Sequence, residues 1–311
     1  SHHTSLLSPS SAYPYTPQRN MFLKTISVLA FLLAGAVAFV PYSAPKGFGT
    51  KPSALRMSAV PAEPRVVLDQ LPKVYVYDHC PFCVRVRLAL GLKNVKHEVI
   101  FLANDDIKTP TDLVGKKVAP IFGLPQDNLV MPESMDIISL VDKDPRFGTP
   151  GYFKDFSDRT DLKAWQKQLK KSGISGHMQR PRYMEAALPE FHTKDGRDAF
   201  VKNHPVPPFE KAEWKADDFT QERRWEEYAK SMAMTDELLP KLNEMLEEMD
   251  KMIYCEEYAT EGGMCLDDVD LWSRLRSATI VKGAVFPDKL KSYLEYYAEK
   301  GDVPLYFGMA V

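Results

Sequence analysis

Val74-Tyr75-Val76-Tyr77-Asp78-His79-Cys80-Pro81-Phe82-Cys83 is the stretch whose reading decides the fold. A β-branched and aromatic run passes directly into Cys-Pro-Phe-Cys. Val84, Leu88 and Leu92 then recur at helical spacing. The pattern predicts a strand, a tight turn and a helix, with Cys80 at the helix N-terminus. Unpaired backbone N–H groups and the positive end of the helix dipole favour a thiolate there. Pro81 suits the first helical turn, where its missing N–H would have had no partner. Cys83 follows about one turn later, within reach of a disulfide formed on Cys80. The spacing therefore marks Cys80 as the nucleophile and Cys83 as the resolving thiol.

A Cys-x-x-Cys pair is also half of a zinc site, but no second pair follows at metal-ligand spacing, so no metal is expected. Two buried structural cysteines are the other alternative, against which stand the intervening Pro and the helix start. Four cysteines in 311 residues are too few for a disulfide scaffold, and point to a reducing compartment with a catalytic pair. The length leaves room for a leader and about two domains. A net charge of -2 gives no sign of a nucleic-acid partner.

Outward from the motif, His97–Leu102 reads as a second strand and Thr109–Val114 as a short helix ended by Gly115. Val118–Phe122 reads as a third strand, Leu129–Met131 as a fourth, and Pro132-Glu133-Ser134 opens a helix carrying Ile137, Ile138 and Val141 inward. The first helix is expected to end near Gly91-Leu92-Lys93-Asn94. The resulting order, β-α-β-α-β-β-α over about 70–143, is thioredoxin-like. A Pro entering a strand cannot donate to the ladder. Ala119-Pro120 stands where that fold places a cis-proline, which would turn the Ala119 backbone toward a peptide-like substrate. Glu133 and Ser134 are ordinary capping residues, yet the same helix start can hold a carboxylate and Glu133 an ammonium.

Asp144–Gly151 has linker composition, and residues 144–157 are expected to join the two domains. From 158 to 311 the chain reads all-helical. Asp161–Lys171 and Gln221–Ala233 are helices, and stripes follow at Leu238, Leu242, Met245, Leu246, Met249 and Ile253, then Val269, Trp272 and Leu275, then Leu290, Tyr293, Leu294 and Tyr297. The methionines and Trp165, Trp225 and Trp272 read as core. His177, His192 and His204 lack metal-ligand spacing and read as surface or structural. The facing of Arg85 and Arg87, two further sources of positive potential near Cys80, is not legible from spacing.

Tyr77-Asp78-His79-Cys80-Pro81-Phe82-Cys83, Gly91-Leu92-Lys93-Asn94, Asn104-Asp105-Asp106, Thr109-Pro110-Thr111, Val114-Gly115-Lys116-Lys117, Ala119-Pro120-Ile121 and Met131-Pro132-Glu133-Ser134-Met135-Asp136-Ile137 occur in this order. Asp267-Asp268-Val269-Asp270-Leu271-Trp272 and Gly308-Met309-Ala310-Val311 extend the series. Together they resemble the bacterial glutaredoxin 2 family, over about Lys73–Val311. The resemblance implies an α/β thioredoxin-like domain followed by an all-α domain, the glutathione-transferase-like architecture. It implies a glutathione-dependent thiol-disulfide oxidoreductase with glutathione as co-substrate, acting on disulfide-containing or glutathionylated proteins. By the same resemblance Cys80 attacks and Cys83 resolves. Phe82, Ala119, Pro120, Glu133 and Ser134 contact glutathione, the last two through its γ-glutamyl group. Ala119 stands where the family often has Val, a change that leaves backbone contacts available. Cys265 stands where this architecture usually caps a late helix with Ser or Thr, a change expected to weaken that helix start by roughly 1 kcal/mol. Glutathione transfer to electrophiles, a prostaglandin-synthase-like enzyme and a redox-regulated glutathione-binding module are the rival readings.

Residues 1–60 differ from the rest. No Asp or Glu precedes Glu63, whereas Arg19, Lys24, Lys46, Lys51 and Arg56 do, leaving 35 basic against 42 acidic residues beyond. Met21-Phe22-Leu23-Lys24 and the apolar Ile26–Ala38 form a signal-like segment, too short for a confident membrane span. An acid-free Ser-, Lys- and Pro-containing stretch follows, to about residue 60. This arrangement resembles the bipartite plastid presequence of algae with secondary plastids. Plastid targeting is the expectation, secretion the alternative, and no stable membrane insertion of the mature chain is expected. Residues 1–20 are read as upstream sequence with no fold of their own.

Overall fold

The computed structural model describes residues 64–209 and 211–311. The leader expectations lie outside the described residues. The architecture is glutathione-transferase-like, with a thioredoxin-like α/β domain followed by a helical one.

Strand β1 (Lys73–Val76) buries Val74 and Val76, as its alternation requires. Helix α1 (Pro81–Leu92) leads to β2 (Glu98–Phe101), α2 (Lys108–Val114), β3 (Ile121–Leu124), β4 (Leu129–Pro132) and α3 (Ser134–Lys143). The sheet order is β2-β1-β3-β4. Strand β1 lies between a parallel β2 (Val74 opposite Val99) and an antiparallel β3 (Val74 opposite Phe122). The central position of β1 puts the turn that follows it at the middle of the sheet edge.

The third strand begins later than the sequence pattern suggests, at Ile121 rather than Val118. Ala119-Pro120 is a cis peptide just ahead of it, and Pro120 is buried. A residue without an N–H enters the sheet at the strand's start, where no ladder bond is lost.

Helix α1 is apolar on more than one stripe. Val86, Leu90 and Cys83 join Phe122, Ile137 and Val141 in the core beneath the sheet. Val84, Leu88 and Leu92 join the core of the helical domain. A helix hydrophobic all round is buried all round, and α1 serves both cores. Gly91 is part of this close packing rather than a terminator. A Cβ there would stand 1.8 Å from the carbonyl oxygen of Gly301. The helix is ended instead by Asn94, at φ 52°. Backbone cannot yield as a side-chain tip can, so Gly91→Ala is expected to cost about 3 kcal/mol, the upper range for overpacking. Urea denaturation checks this; an unchanged midpoint would contradict the close approach.

After a short turn at Pro145–Phe147, whose Phe147 is fully buried in the sheet core, the chain continues through α4 (Thr160–Lys171), α5 (Arg180–Glu185), α6 (Lys194–Asn203), α7 (Lys211–Trp214), α8 (Gln221–Ala233), α9 (Thr235–Met252), α10 (Leu266–Leu275) and α11 (Asp288–Lys300). Trp165, Trp214 and Trp272 are buried and Trp225 is half-buried. Each indole N–H has an acceptor, Trp165 on Met245 O and Trp272 on Leu294 O, both at 2.9 Å. Met245 and Met249 fill the same core.

The start of α10 is better held than a cysteine cap implies. The Asp268 carboxylate accepts from Cys265 N–H at 2.9 Å and from Ala259 N–H at 2.7 Å. The capping box is closed chiefly from the Asp268 side. Among the described residues no helix is long and apolar enough to cross a membrane.

Candidate active site

Cys80 occupies the N-cap position of α1 with extended backbone, φ −77° and ψ 117°. Pro81 takes the first helical position. This geometry leaves the N–H groups of Phe82 and Cys83 free of helical partners and directed at the Cys80 sulfur. The Cys83 thiol, fully buried one turn on, donates to the same sulfur. That thiol bond is the largest influence on Cys80. Burial opposes it, and the His79 charge and the two backbone N–H groups reinforce it, so the Cys80 pKa falls to about 6. Cys83 moves the other way, pushed well above the usual thiol value by burial and by the neighbouring Cys80 and Glu190 charges. One sulfur is set up as nucleophile and the other remains a protonated donor. Both are free thiols.

A testable consequence follows from the direction of the Cys80 shift. A thiol at about 6 is mostly thiolate at pH 7, so alkylation by iodoacetamide should rise through a midpoint near pH 6. A midpoint at about 8.5, that of an unperturbed cysteine, would contradict the geometry.

His79 was not singled out by motif, and Glu190 carried no sequence signal at all. Glu190 sits in a helical turn at Pro189–Phe191, with its side chain wholly excluded from solvent. Its Oε1 accepts from His79 N–H at 2.9 Å and contacts His79 Nδ1 at 2.5 Å. Tyr183, Phe191 and Phe200 surround the imidazole, with ring centroids 5.0 to 5.2 Å away. The helical domain thus supplies the carboxylate that stations the residue before the nucleophile.

On its other side the turn is fixed by Asp78. Arg276, itself buried, donates to the Asp78 backbone oxygen at 2.8 Å and to its carboxylate at 3.1 and 3.2 Å. Arg87 donates to the same carboxylate. Burial alone would raise the Asp78 pKa, but the two guanidinium groups hold it below the usual carboxylate range. Arg85 pairs with Asp270. The positive charge of Arg85 and Arg87 is therefore spent on buried carboxylates that join helix, turn and helical domain.

A cleft of about 360 Å³ opens beside Cys80, between the turn and helices α4, α5, α6 and α10. Phe82, 45 % exposed, forms one wall beneath the guanidinium groups of Arg85 and Arg274. Leu169, Tyr183 and Phe200 form the apolar part. His204, read from sequence as surface or structural, also borders the cleft. Burial lowers its pKa to about 4, so its ring is neutral near pH 7. Ala119, Pro120, Glu133 and Ser134 do not line this cleft. Ala119 packs against the core that contains Cys83. Glu133 adopts φ 75°, ψ 108° at the N-cap of α3, with its side chain exposed and 3.7 Å from Lys116. Ser134 begins α3, buried, with Arg85 donating to its Oγ at 3.5 Å.

Among known proteins, residues 161–310 match the family model "Glutaredoxin 2, C terminal domain". Residues 79–144 match "Glutathione S-transferase, N-terminal domain". Over 239 residues the chain is 34 % identical to Glutaredoxin 2 of Escherichia coli (strain K12), covering 77 % of this chain and 100 % of that one. The chain belongs to the glutaredoxin 2 family. The crystal structure of Glutaredoxin 2 from Salmonella typhimurium in complex with glutathione is similar to it, with a TM-score of 0.66 and 29 % identity, covering 78 % of this chain and 100 % of that chain. At 239 residues the glutaredoxin 2 match is longer than either domain alone.

Proposed function

We propose that this chain is a glutathione-dependent thiol-disulfide oxidoreductase that reduces glutathione mixed disulfides and protein disulfides through Cys80 and Cys83. The observation that carries the reading is the lowered pKa of Cys80 against the raised pKa of Cys83 at one helix N-terminus. The glutathione-bound state of the Salmonella typhimurium relative supports glutathione as the co-substrate. In the monothiol route the Cys80 thiolate attacks the glutathionyl sulfur of a mixed disulfide. The substrate cysteine leaves as a thiolate and takes up a proton. A glutathione thiolate then attacks the Cys80-bound glutathionyl sulfur, releasing oxidised glutathione and restoring the Cys80 thiolate. In the dithiol route the Cys80 thiolate attacks a protein disulfide and one substrate cysteine leaves as a thiolate. Cys83 then loses its proton and attacks the Cys80 sulfur, releasing the second substrate cysteine. This leaves a Cys80–Cys83 disulfide that two glutathione molecules reduce, giving oxidised glutathione.

In this reading Ala119 aligns glutathione through its backbone beside Pro120, and Phe82 flanks it. The first amides of α3, at Ser134, receive the γ-glutamyl carboxylate. Glu133, whose carboxylate is exposed and reaches only Lys116 at 3.7 Å, would receive the ammonium. Glutathione transfer to electrophiles is the second reading, favoured by the apolar cleft beside Cys80. The assay that decides is glutathione-dependent reduction of bis(2-hydroxyethyl) disulfide, coupled to consumption of oxidised glutathione. Conjugation of an electrophile without disulfide turnover would transfer the case to the second reading.

The acid-free leader is part of the same proposal as a plastid-directing presequence. Residues 1–62 fused to a fluorescent protein should accumulate in the plastid of an alga with a secondary plastid. Secretion of the fusion would sink that assignment.

A further inference from the structure

From Glu63 onward the chain is acidic in composition, with 42 acidic against 35 basic residues, yet the surface next to Cys80 is basic. Helix α4 buries Leu162, Trp165 and Leu169. Its Lys163, Lys167 and Lys170 recur at i, i+4 and i+7, so they form one exposed ridge. Lys170 at the end of that ridge lines the cleft, together with Arg180 and Arg274, and no Asp or Glu lines it. Asp161, on α4 itself, is exposed but paired with Arg159, and two acids behind the turn are engaged below the surface. Glu190 is buried on His79, and Asp270 is shared between Arg85 and Arg274. Among the described residues no salt bridge reaches Lys167, Lys170 or Arg180, and Arg180 donates to the Pro205 carbonyl. A concave site with one sign of charge and apolar walls concentrates the opposite charge.

We infer that the cleft and the α4 ridge together receive an acidic polypeptide segment, the one that carries the disulfide to be reduced. An apolar side chain of that segment rests on Leu169, Tyr183 and Phe200. Its carboxylates run along Lys170, Lys167 and Lys163. The cleft, about 360 Å³, holds a few side chains or one small ligand. The ridge continues about 10 Å beyond it at helical rise, a span matched by about three extended residues. A polypeptide uses both parts, and a small disulfide would use the cleft alone. Glutathione is also an anion, but of the residues assigned to it only Phe82 borders the cleft, and Ala119, Pro120, Glu133 and Ser134 do not. The inference rests on the oxidoreductase reading above and names its substrate class.

The test uses the full chain and three mixed disulfides of glutathione with short cysteine peptides. The peptides share one sequence except that the flanking residues are acidic, neutral or basic. Bis(2-hydroxyethyl) disulfide reports the thiol chemistry alone. The acidic peptide should show a kcat/KM about tenfold above the neutral one at low salt. That advantage should shrink as salt shortens the screening length. The Lys163→Gln/Lys167→Gln variant should cut the acidic-to-neutral ratio by about threefold. Equal rates on the three peptides, with bis(2-hydroxyethyl) disulfide still reduced, would overturn this inference and leave the oxidoreductase reading standing. A variant whose KM for glutathione rises while the peptide ratio holds would also overturn it, assigning the ridge to glutathione. No turnover of any disulfide would remove the oxidoreductase reading and this inference with it.

Discussion

Cys80→Ser should reduce disulfide turnover by about three orders of magnitude or more, to the uncatalysed rate. A serine hydroxyl does not ionise near neutral pH and cannot form the mixed disulfide through which exchange proceeds. The fold should persist, because a serine at the N-cap of α1 can accept from the same first-turn N–H groups that face the Cys80 sulfur. Cys83→Ser separates the two routes. The buried position would still hold a small donor facing Cys80, so deglutathionylation should stay within about threefold of the parent. Reduction of a protein disulfide should fall more than about tenfold, since no neighbouring thiol remains to release the substrate from Cys80 and only the slower intermolecular attack by glutathione is left. Glutathionylated and disulfide-bonded forms of one test protein, assayed side by side, make the comparison. Equal losses in the two assays would end the division of labour between the sulfurs.

Arg276→Met should destabilise the chain by about 3–5 kcal/mol, the usual consequence of breaking a buried ion pair from one side. Arg276 and Asp78 are 198 residues apart in sequence and both buried, and the guanidinium also donates to the Tyr306 hydroxyl at 2.6 Å and to the Pro304 carbonyl at 2.7 Å. Removing it strands the Asp78 carboxylate with Arg87 alone. The pH dependence has a definite sign. The folded state holds the Asp78 pKa below its ordinary 3.8, so the stabilisation is complete above that value and is lost as pH falls through the lower folded one. The variant should therefore lose stability at pH 7 and show a shallower acid limb than the parent. Urea unfolding at pH 7 and pH 3 measures both. A loss under about 1 kcal/mol at pH 7 would mean that this pair does not hold the domains together.

Much of the fold was legible because its signals are local. Alternation at Val74 and Val76, the Cys-Pro step and helical spacing after it are each written within a few residues. The Ala119-Pro120 position was legible as well, since a Pro at the head of an apolar strand has few structural explanations. Where local signals carried two meanings, sequence reading chose the commoner one. Gly91-Leu92-Lys93-Asn94 read as the end of α1, and Asn94 does end it, but Gly91 is the point where α1 meets the backbone at Gly301. Phe147, inside a stretch of linker composition, is fully buried beneath the sheet. His204 read as surface or structural, with nothing in the sequence to place it beside Cys80, and it borders the cleft.

By itself, then, the sequence determined the strand–turn–helix, the placing of two cysteines at its helix start, the thioredoxin-like element order and the helical character of the second domain. These depend on periodicity, turn chemistry and helix-terminal electrostatics, which act over one or two turns of chain. Only the tertiary structure decided what surrounds the sulfur. Glu190 reaches His79 across 111 residues of sequence, Asp270 reaches Arg85 across 185, and the cleft is assembled from the turn and four helices. No periodic pattern marks such partners. Their pairing is imposed when burial brings two domains together and each desolvated charge is left to find its counter-charge in the other.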